Sequence, residues 1–519
     1  MKKKRRIALL ITILFVFSIL AGCGSSTKST SSDDTKTTTP SSQTKTSSGD
    51  IAEKTVIVGM DQEPESLDAT TIGLDLVRWC TDPIFGRLVW LDETGTEIVP
   101  AIAESWTYIT DTEIEFKLRK DVKFHNGRGL VADDIVFCLN IQKDENYGAS
   151  NYINFGPYVD SIEAKDDYTV LLKLKTPYPA ILSIITKIPI FAPEAIDNLA
   201  TEPIGCGPFK YVSWDKNQEL KLEAFEDYYE NGVPAYKYLI FKFYAEYNTC
   251  LTAYMAGEVD IINWLSNVDV PTIESLADSY TMAAPTGAYY LQADMTNPIF
   301  KTPGVMKAIS LAIDREKLVE LVLDGYGIPI WLPQHPDSPY YPDDIEYKRN
   351  IEEAKRLLAE AGYPNGFTCE LLSPKTAVEG PLAEVLQAQL AEIGITVKLN
   401  IPEVPAFLEA WQKGNFDLAI CGHGYETDPS IRLNRWMSDS TQNYGHYSNS
   451  EFDRLCREGA TTVDEVKRKQ IYYDAYHIFV EDSAIIYMMG EVRYSAIRNN
   501  IEGLIKRTSY NDYTRLTVK

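Results

Sequence analysis

Ile395-Thr396-Val397-Lys398-Leu399-Asn400-Ile401 and Phe416-Asp417-Leu418-Ala419-Ile420-Cys421 are the stretches on which the fold reading turns. In the first, apolar and polar residues alternate, the period of a strand with one buried face. The second reads as a buried strand. Cys369 to Leu372 supplies a third strand, and Pro381 to Ile393, stopped at Gly394, and Pro405 to Lys413 supply helices between them. The order βαβαβ predicts a parallel sheet wound right-handed, with ligands beyond the carboxyl ends of its strands. The segment leaving the last strand, Gly422-His423-Gly424-Tyr425-Glu426-Thr427-Asp428-Pro429, is rich in glycine and polar groups, so residues 422–430 are nominated as a binding loop.

Upstream, Thr302-Pro303 predicts an N-cap and first helical residue, followed by the apolar stripe Val305, Ile309, Ala312 and Ile313. A second stripe, Ile351, Ala354, Leu357, Leu358 and Ala361, follows Asn350 and ends at Gly362. The first third of the chain is different. Val56-Ile57-Val58, Glu113 to Leu118 and Thr169 to Leu174 alternate with period two, and turns such as Asn126-Gly127 separate them.

The chain has 519 residues, too many for one core, and its 74 acidic residues outnumber the 50 basic ones to give a formal charge of -24. A nucleic-acid partner is excluded by that balance, since phosphate binding needs clustered Lys and Arg. Lys2, Lys3, Lys4, Arg5 and Arg6 precede an apolar run of 14 residues, Ile7 to Leu20. As a helix this run spans about 21 Å, short of the roughly 30 Å of a bilayer core, and it reads as a signal peptide over residues 1–22. Leu20-Ala21-Gly22-Cys23 is similar to a bacterial lipobox, which predicts lipidation of Cys23. Residues 23–53 then form a Ser/Thr-rich tether with little to bury, and the globular body is expected on the outer face of a bacterial membrane. Seven further cysteines are scattered without C-x-x-C spacing and are expected as buried thiols. Phosphate-loop, zinc-protease and G-x-S-x-G motifs are absent from the sequence.

Several segments, in order, carry a resemblance. Ala103-Glu104-Ser105-Trp106 leads to Phe124-His125-Asn126-Gly127 and Ala132-Asp133-Asp134; Gly205-Cys206-Gly207-Pro208-Phe209 leads to Ala256-Gly257-Glu258-Val259-Asp260. Ala308 to Arg315, Leu357 to Tyr363, Ile393-Gly394-Ile395 and Asp428-Pro429 complete the set. From about residue 54 to its end the chain resembles the family 5 extracellular solute-binding proteins of ABC importers, which bind oligopeptides, dipeptides or nickel.

The resemblance implies an α/β, class II periplasmic-binding-protein-like fold with two sheet-based lobes, a hinge and an extra small α+β domain. By analogy lobe I comprises 54–84, 190–284 and 488–519, the extra domain 85–189 and lobe II 285–487, with crossings near 285 and 487. It further implies a monomer without cofactor, metal or catalytic residues, which closes on a peptide and passes it to permease subunits and their ATPases. The implied ligand contacts are Leu74 in the loop Thr70 to Leu76, Tyr152, Tyr289, His423, Tyr425, Glu426 and Asp428. One departure matters. Peptide-binding members hold the ligand amine with an Asp four positions before the Pro of the Asp-Pro loop, and here that position is Tyr425. Either Glu426 or Asp428 replaces it through a one-residue shift of the loop, or the ligand lacks a free amine, as an N-blocked peptide or an oligosaccharide would; an oligosaccharide or nickel complex bound by the same fold is the alternative reading. A tethered hydrolase is the reading from another class.

Overall fold

The computed structural model describes residues 51–519 apart from 94, 96, 346 and 507–510; the expected signal peptide, Cys23 and most of the tether lie outside the described residues. Strand β1 (Ala52–Met60) starts just inside the expected tether, because Ala52 already pairs with Tyr236. Val56 and Val58 are fully buried on one face and Ile57 packs into a separate cluster on the other, so β1 is covered on both sides rather than half-buried.

Helix α1 (Asp75–Thr81) follows. Strands β2 (Ala103–Thr110) and β3 (Glu113–Leu118), helices α2 (Ala132–Lys143) and α3 (Tyr152–Phe155), and strands β4 (Val159–Asp166) and β5 (Thr169–Leu174) come next. The four strands make an antiparallel sheet in the order β2-β3-β5-β4, with the alternating Ile114, Phe116 and Leu118 buried. Helix α4 (Ile181–Ile185) returns the chain to the first sheet, where β6 (Phe209–Asp215), β7 (Glu219–Ala224), β8 (Tyr236–Phe243) and β9 (Ile261–Leu265) line up beside β1. One continuous apolar core joins this region, from Val56 through the four-stranded sheet to Phe243, and takes in Leu516 near the end of the chain.

Strand β10 (Ser279–Ala293) leads into a second region. There helix α5 (Val305–Ala312) buries Val305, Ile309 and Ala312 as expected. Its N-cap is Gly304 rather than Thr302: Gly304 turns left-handed at φ +89°, which interrupts any helix begun at Pro303, so the helix starts two residues later. The βαβαβ unit follows as β11 (Thr368–Leu372), α6 (Glu379–Ala391), β12 (Thr396–Asn400), α7 (Val404–Gln412) and β13 (Leu418–Gly424). β11 pairs parallel with both β12 and β13. Leu418 and Ile420 enter one core, Ala419 and Cys421 another, as expected of a strand covered on both faces. Helices α8 (Pro429–Leu433) and α9 (Glu465–Asp482) precede strand β14 (Ile485–Arg498).

One sheet runs through both regions in the order β12-β11-β13-β10-β14-β9-β1-β8-β7-β6, with Gly327–Pro329 added beside β14. The two long strands β10 and β14 pair from Ser279 against Arg498 to Gln292 against Ile485, with register breaks at Pro285/Gly287 and Tyr289/Tyr290. The described cysteines are free and buried. No helix of the described residues is long and apolar enough to cross a membrane.

Gly366 (φ +72°) and Gly394 (φ +88°) pack backbone to backbone beside the βαβαβ unit, and a Cβ on Gly366 would stand 1.9 Å from the Gly394 carbonyl oxygen. Gly366→Ala is expected to lower unfolding free energy by about 3 kcal/mol or more in urea titration. In the same experiment Gly380→Ala, which meets open space on helix α6, is expected to be neutral or slightly stabilising.

Candidate functional site

The nominated loop is shorter than residues 422–430. Gly422, His423 and Gly424 continue strand β13, because β10 offers them a ladder: Tyr289 pairs with Gly422, Ala288 with His423 and Gly287 with Gly424. The glycines permit this. A Cβ at Gly287 would come within 2.8 Å of the His423 carbonyl oxygen, and one at Gly422 within 3.0 Å of the Tyr289 ring. Tyr289 is thus half-buried, its ring lying across Gly422.

His423 Nδ1 stands 2.8 Å from the Gly424 carbonyl, which only accepts, so the ring proton sits on Nδ1. Nε2, 2.8 Å from the Tyr487 hydroxyl, then accepts from it. Burial, with Arg432 adding to it, drives the imidazole well below its usual range and keeps it neutral. His446 instead faces Asp294 at 3.1 Å, and among the described residues no group of three side chains has metal-binding geometry.

Tyr425 is 8% exposed. Its N–H donates to the carbonyl of Thr286, inside the register break of β10, and its ring meets His335 edge-on. Its hydroxyl lies over Gly490 without a hydrogen-bond partner among the described residues.

Glu426 is the centre of the charged group. Its Oε2 accepts from Lys187 Nζ at 2.6 Å, and Oε1 is 3.4 Å from Arg432 Nη2. Burial alone would raise the Glu426 carboxyl, but Lys187 and Arg432, with Arg78 adding to them, outweigh it and hold the group below its usual range. Arg432, on α8, also donates to the Gly424 carbonyl at 3.0 Å, which fixes the guanidinium over the loop. Lys187 follows α4 and is flanked by Ile185 and Ile188 of the first core, whereas Glu426 follows β13 between the two cores of the second region. Ile431 packs against the first core from the same side.

Asp428 has a structural task. Its Oδ1 caps α8 through the Ser430 N–H at 2.9 Å, accepts the Ser430 hydroxyl at 2.7 Å and receives Arg468 Nη2 at 2.7 Å. Leu74 is 64% exposed at the N-cap of α1, with its carbonyl accepting from Val77. Tyr152, on α3, lays its ring against Gly156; among the described residues no hydrogen bond or ring contact joins it to the other nominated side chains.

The structure thus gathers Tyr289, His423, Tyr425 and Glu426 beside the β10–β14 pairing, and adds Lys187 and Arg432, which sequence reasoning missed. Arg432 had a signal, since it lies one turn into the helix that Asp428-Pro429 begins. Lys187 had none, being in contact only through the fold. Asp75, next to the nominated Leu74, stands near Lys187, Arg78 and Arg493, and burial raises its carboxyl against their pull.

Two separately cored regions on one shared sheet, with ion-paired loops meeting between them, make a mixed α/β fold of the periplasmic-binding-protein type. Residues 97–445 match the model of "Bacterial extracellular solute-binding proteins, family 5 Middle", and the chain belongs to that family. It is 29% identical to the oligopeptide-binding protein AppA of Bacillus subtilis, over 98% of each chain. The solved structure of that protein with a nonapeptide superposes with a TM-score of 0.71 at 26% identity, covering 90% of this chain and 99% of the other. HbpA2 from Haemophilus parasuis gives a TM-score of 0.81 at 26% identity, covering 90% and 100% respectively.

Asp428→Ala is expected to cost about 3–5 kcal/mol of stability in denaturant titration, because it strands the buried Arg468 guanidinium. For Glu426 the sign follows from its depressed folded pKa. The stabilisation is present above the ordinary 4.5 and is lost as pH falls through the lower folded value. The melting-temperature gap between wild type and Glu426→Gln is therefore expected to be widest at neutral pH and to narrow below 4.5 in calorimetry.

Proposed function

We propose that this protein is a lipid-anchored extracellular receptor that captures peptides by closing two lobes and passes them unchanged to an ABC permease. The observation that carries the reading is the Lys187–Glu426 pair, 2.6 Å long, which reaches from the first core to the loop at the end of β13. A ligand seated at this junction touches both lobes, so it favours the closed form by the difference in its affinity for the two forms. The long strands β10 and β14 are the connections across which the lobes turn, and the register break at Pro285/Gly287, opposite Val492 and Glu491, supports a hinge there. By this assignment the first core holds lobe I with the small domain, and the second region is lobe II.

Peptide is the preferred cargo because AppA of Bacillus subtilis, similar over 98% of both chains, is named for oligopeptides and was solved with a nonapeptide. Half-buried Tyr289 suits it, offering a ring face for apolar side chains. Transport needs no chemistry on the ligand, so the chain acts as a binding protein and not as an enzyme. The lipobox-like Cys23 supplies the anchor, and ATP is hydrolysed by other chains.

The test is to incubate the purified protein with a mixed peptide pool and record native mass spectra with small-angle scattering. Intact peptides bound one per chain, recovered unaltered after denaturation, together with a fall in radius of gyration, are expected. Cleaved products, or tight binding with no change of shape, would refute the reading.

A further inference from the structure

A cavity of about 590 Å³ lies apart from the junction: none of the nominated ligand contacts lines it, and neither do Lys187 and Arg432. Segments far apart in sequence, within 82–101, 228–231 and 511–515, supply most of its wall, so the fold and not a single loop sets its shape. Its volume falls within the roughly 300–1,000 Å³ of small-molecule sites. Phe85, Trp90, Tyr229 and Tyr513 of its lining all pack in or against the first core, so a ligand here spans no boundary between the two regions.

The wall is aromatic and charged, but its charges are already matched. Arg515 gives Glu230 two hydrogen bonds, at 2.6 and 2.9 Å, and Arg119 gives Asp121 two, at 3.0 and 2.8 Å. Arg87 is paired with Asp82, both side chains being nearly enclosed. A guanidinium fork carries five N–H donors, so Arg119 and Arg515 keep donors beyond those their carboxylates use. Asp512 accepts the N–H and hydroxyl of Thr514 at 2.9 and 2.6 Å. The Tyr228 and Tyr229 rings stand 4.4 Å apart, and the Arg119 guanidinium lies 4.7 Å from the centre of Tyr229.

An anion is disfavoured, because the lining holds five carboxylates against three guanidinium groups. A cation has to compete with arginines already bound to Asp82 and Glu230. A neutral molecule rich in hydroxyls meets neither obstacle. Its hydroxyls accept from arginine N–H groups and donate to carboxylate oxygens, while an apolar face packs on tyrosine or tryptophan. An apolar face edged with hydroxyls is the chemistry of a pyranose sugar.

We propose that this cavity is a second binding site, which takes a neutral pyranose unit of a glycan and is separate from the cargo site between the lobes. Tyr229 and Trp90 supply ring surface, Arg119 and Arg515 donate, and Glu230 accepts while orienting Arg515. The inference does not depend on the peptide reading. A free oligosaccharide and a cell-wall polymer present the same chemistry, and the experiment separates them.

The purified protein is titrated in a calorimeter with N,N′-diacetylchitobiose, cellobiose and maltose, and with sodium phosphate and choline chloride as charged probes. It is also sedimented with insoluble peptidoglycan sacculi. At least one disaccharide is expected to bind with a Kd of about 1 mM or tighter, and the charged probes are expected to give no heat. Tyr229→Ala and Arg515→Met are each expected to weaken that binding about ten-fold, whereas Glu426→Gln, at the junction, leaves it unchanged. Arg515 is exposed, so its variant keeps the test open if Tyr229→Ala does not fold. Retention on sacculi that the soluble disaccharide reverses supports a wall glycan as the ligand; soluble binding without retention supports a free oligosaccharide. No disaccharide binding at about 10 mM, phosphate or choline bound instead, or binding lost only in Glu426→Gln overturns the inference. Peptide capture between the lobes stands or falls separately.

Discussion

The antiparallel ladder between β10 and β14 is the constraint from which the rest of the structure hangs. Its first part, around Ser279 and Arg498, lies against β9 and the first core; its second part, around Tyr289 and Met489, lies against β13 and the second. Backbone hydrogen bonds thereby fix the two regions in one sheet plane while leaving their side-chain cores separate. The ladder is interrupted at Thr286, and that residue accepts from the Tyr425 N–H of the loop after β13.

The loop is accordingly built from constraints of different strength. Asp428 and Arg468 are 7% and 3% exposed, so their bond and the helix cap are enclosed by packing. Glu426 lies two residues earlier and is 16% exposed at its side chain, held only by cations that belong to separate elements. The backing of the loop is therefore anchored more deeply than the carboxylate at its tip.

Much of this was legible in the chain itself, for definite reasons. The βαβαβ unit declared itself because Leu382, Leu386 and Leu390 keep helical spacing while Phe416 to Cys421 keeps none, and both patterns are local. The extension of β13 through His423 and Gly424 was hidden, since their pairing partners on β10 lie far back in sequence and glycine there imitates a loop. Thr302-Pro303 misled in the opposite way: good capping chemistry was overruled by a turn that inserts Gly304. Lys187 illustrates the deepest limit. A solvated lysine and an ion-paired one look identical until the fold brings a carboxylate to them.

The free thiols carry a last implication. Burial raises Cys206, Cys250, Cys369 and Cys421 to about 12, which leaves almost none of each as the reactive anion at neutral pH. Cys80 and Cys138 are likewise raised by burial, as is Cys456, where Asp453 adds to the effect. Among the described residues the body is thus held together without disulfide cross-links. Sulfhydryl reagents would register only molecules that have come apart, which makes those seven positions a natural gauge of how often the body opens to its core.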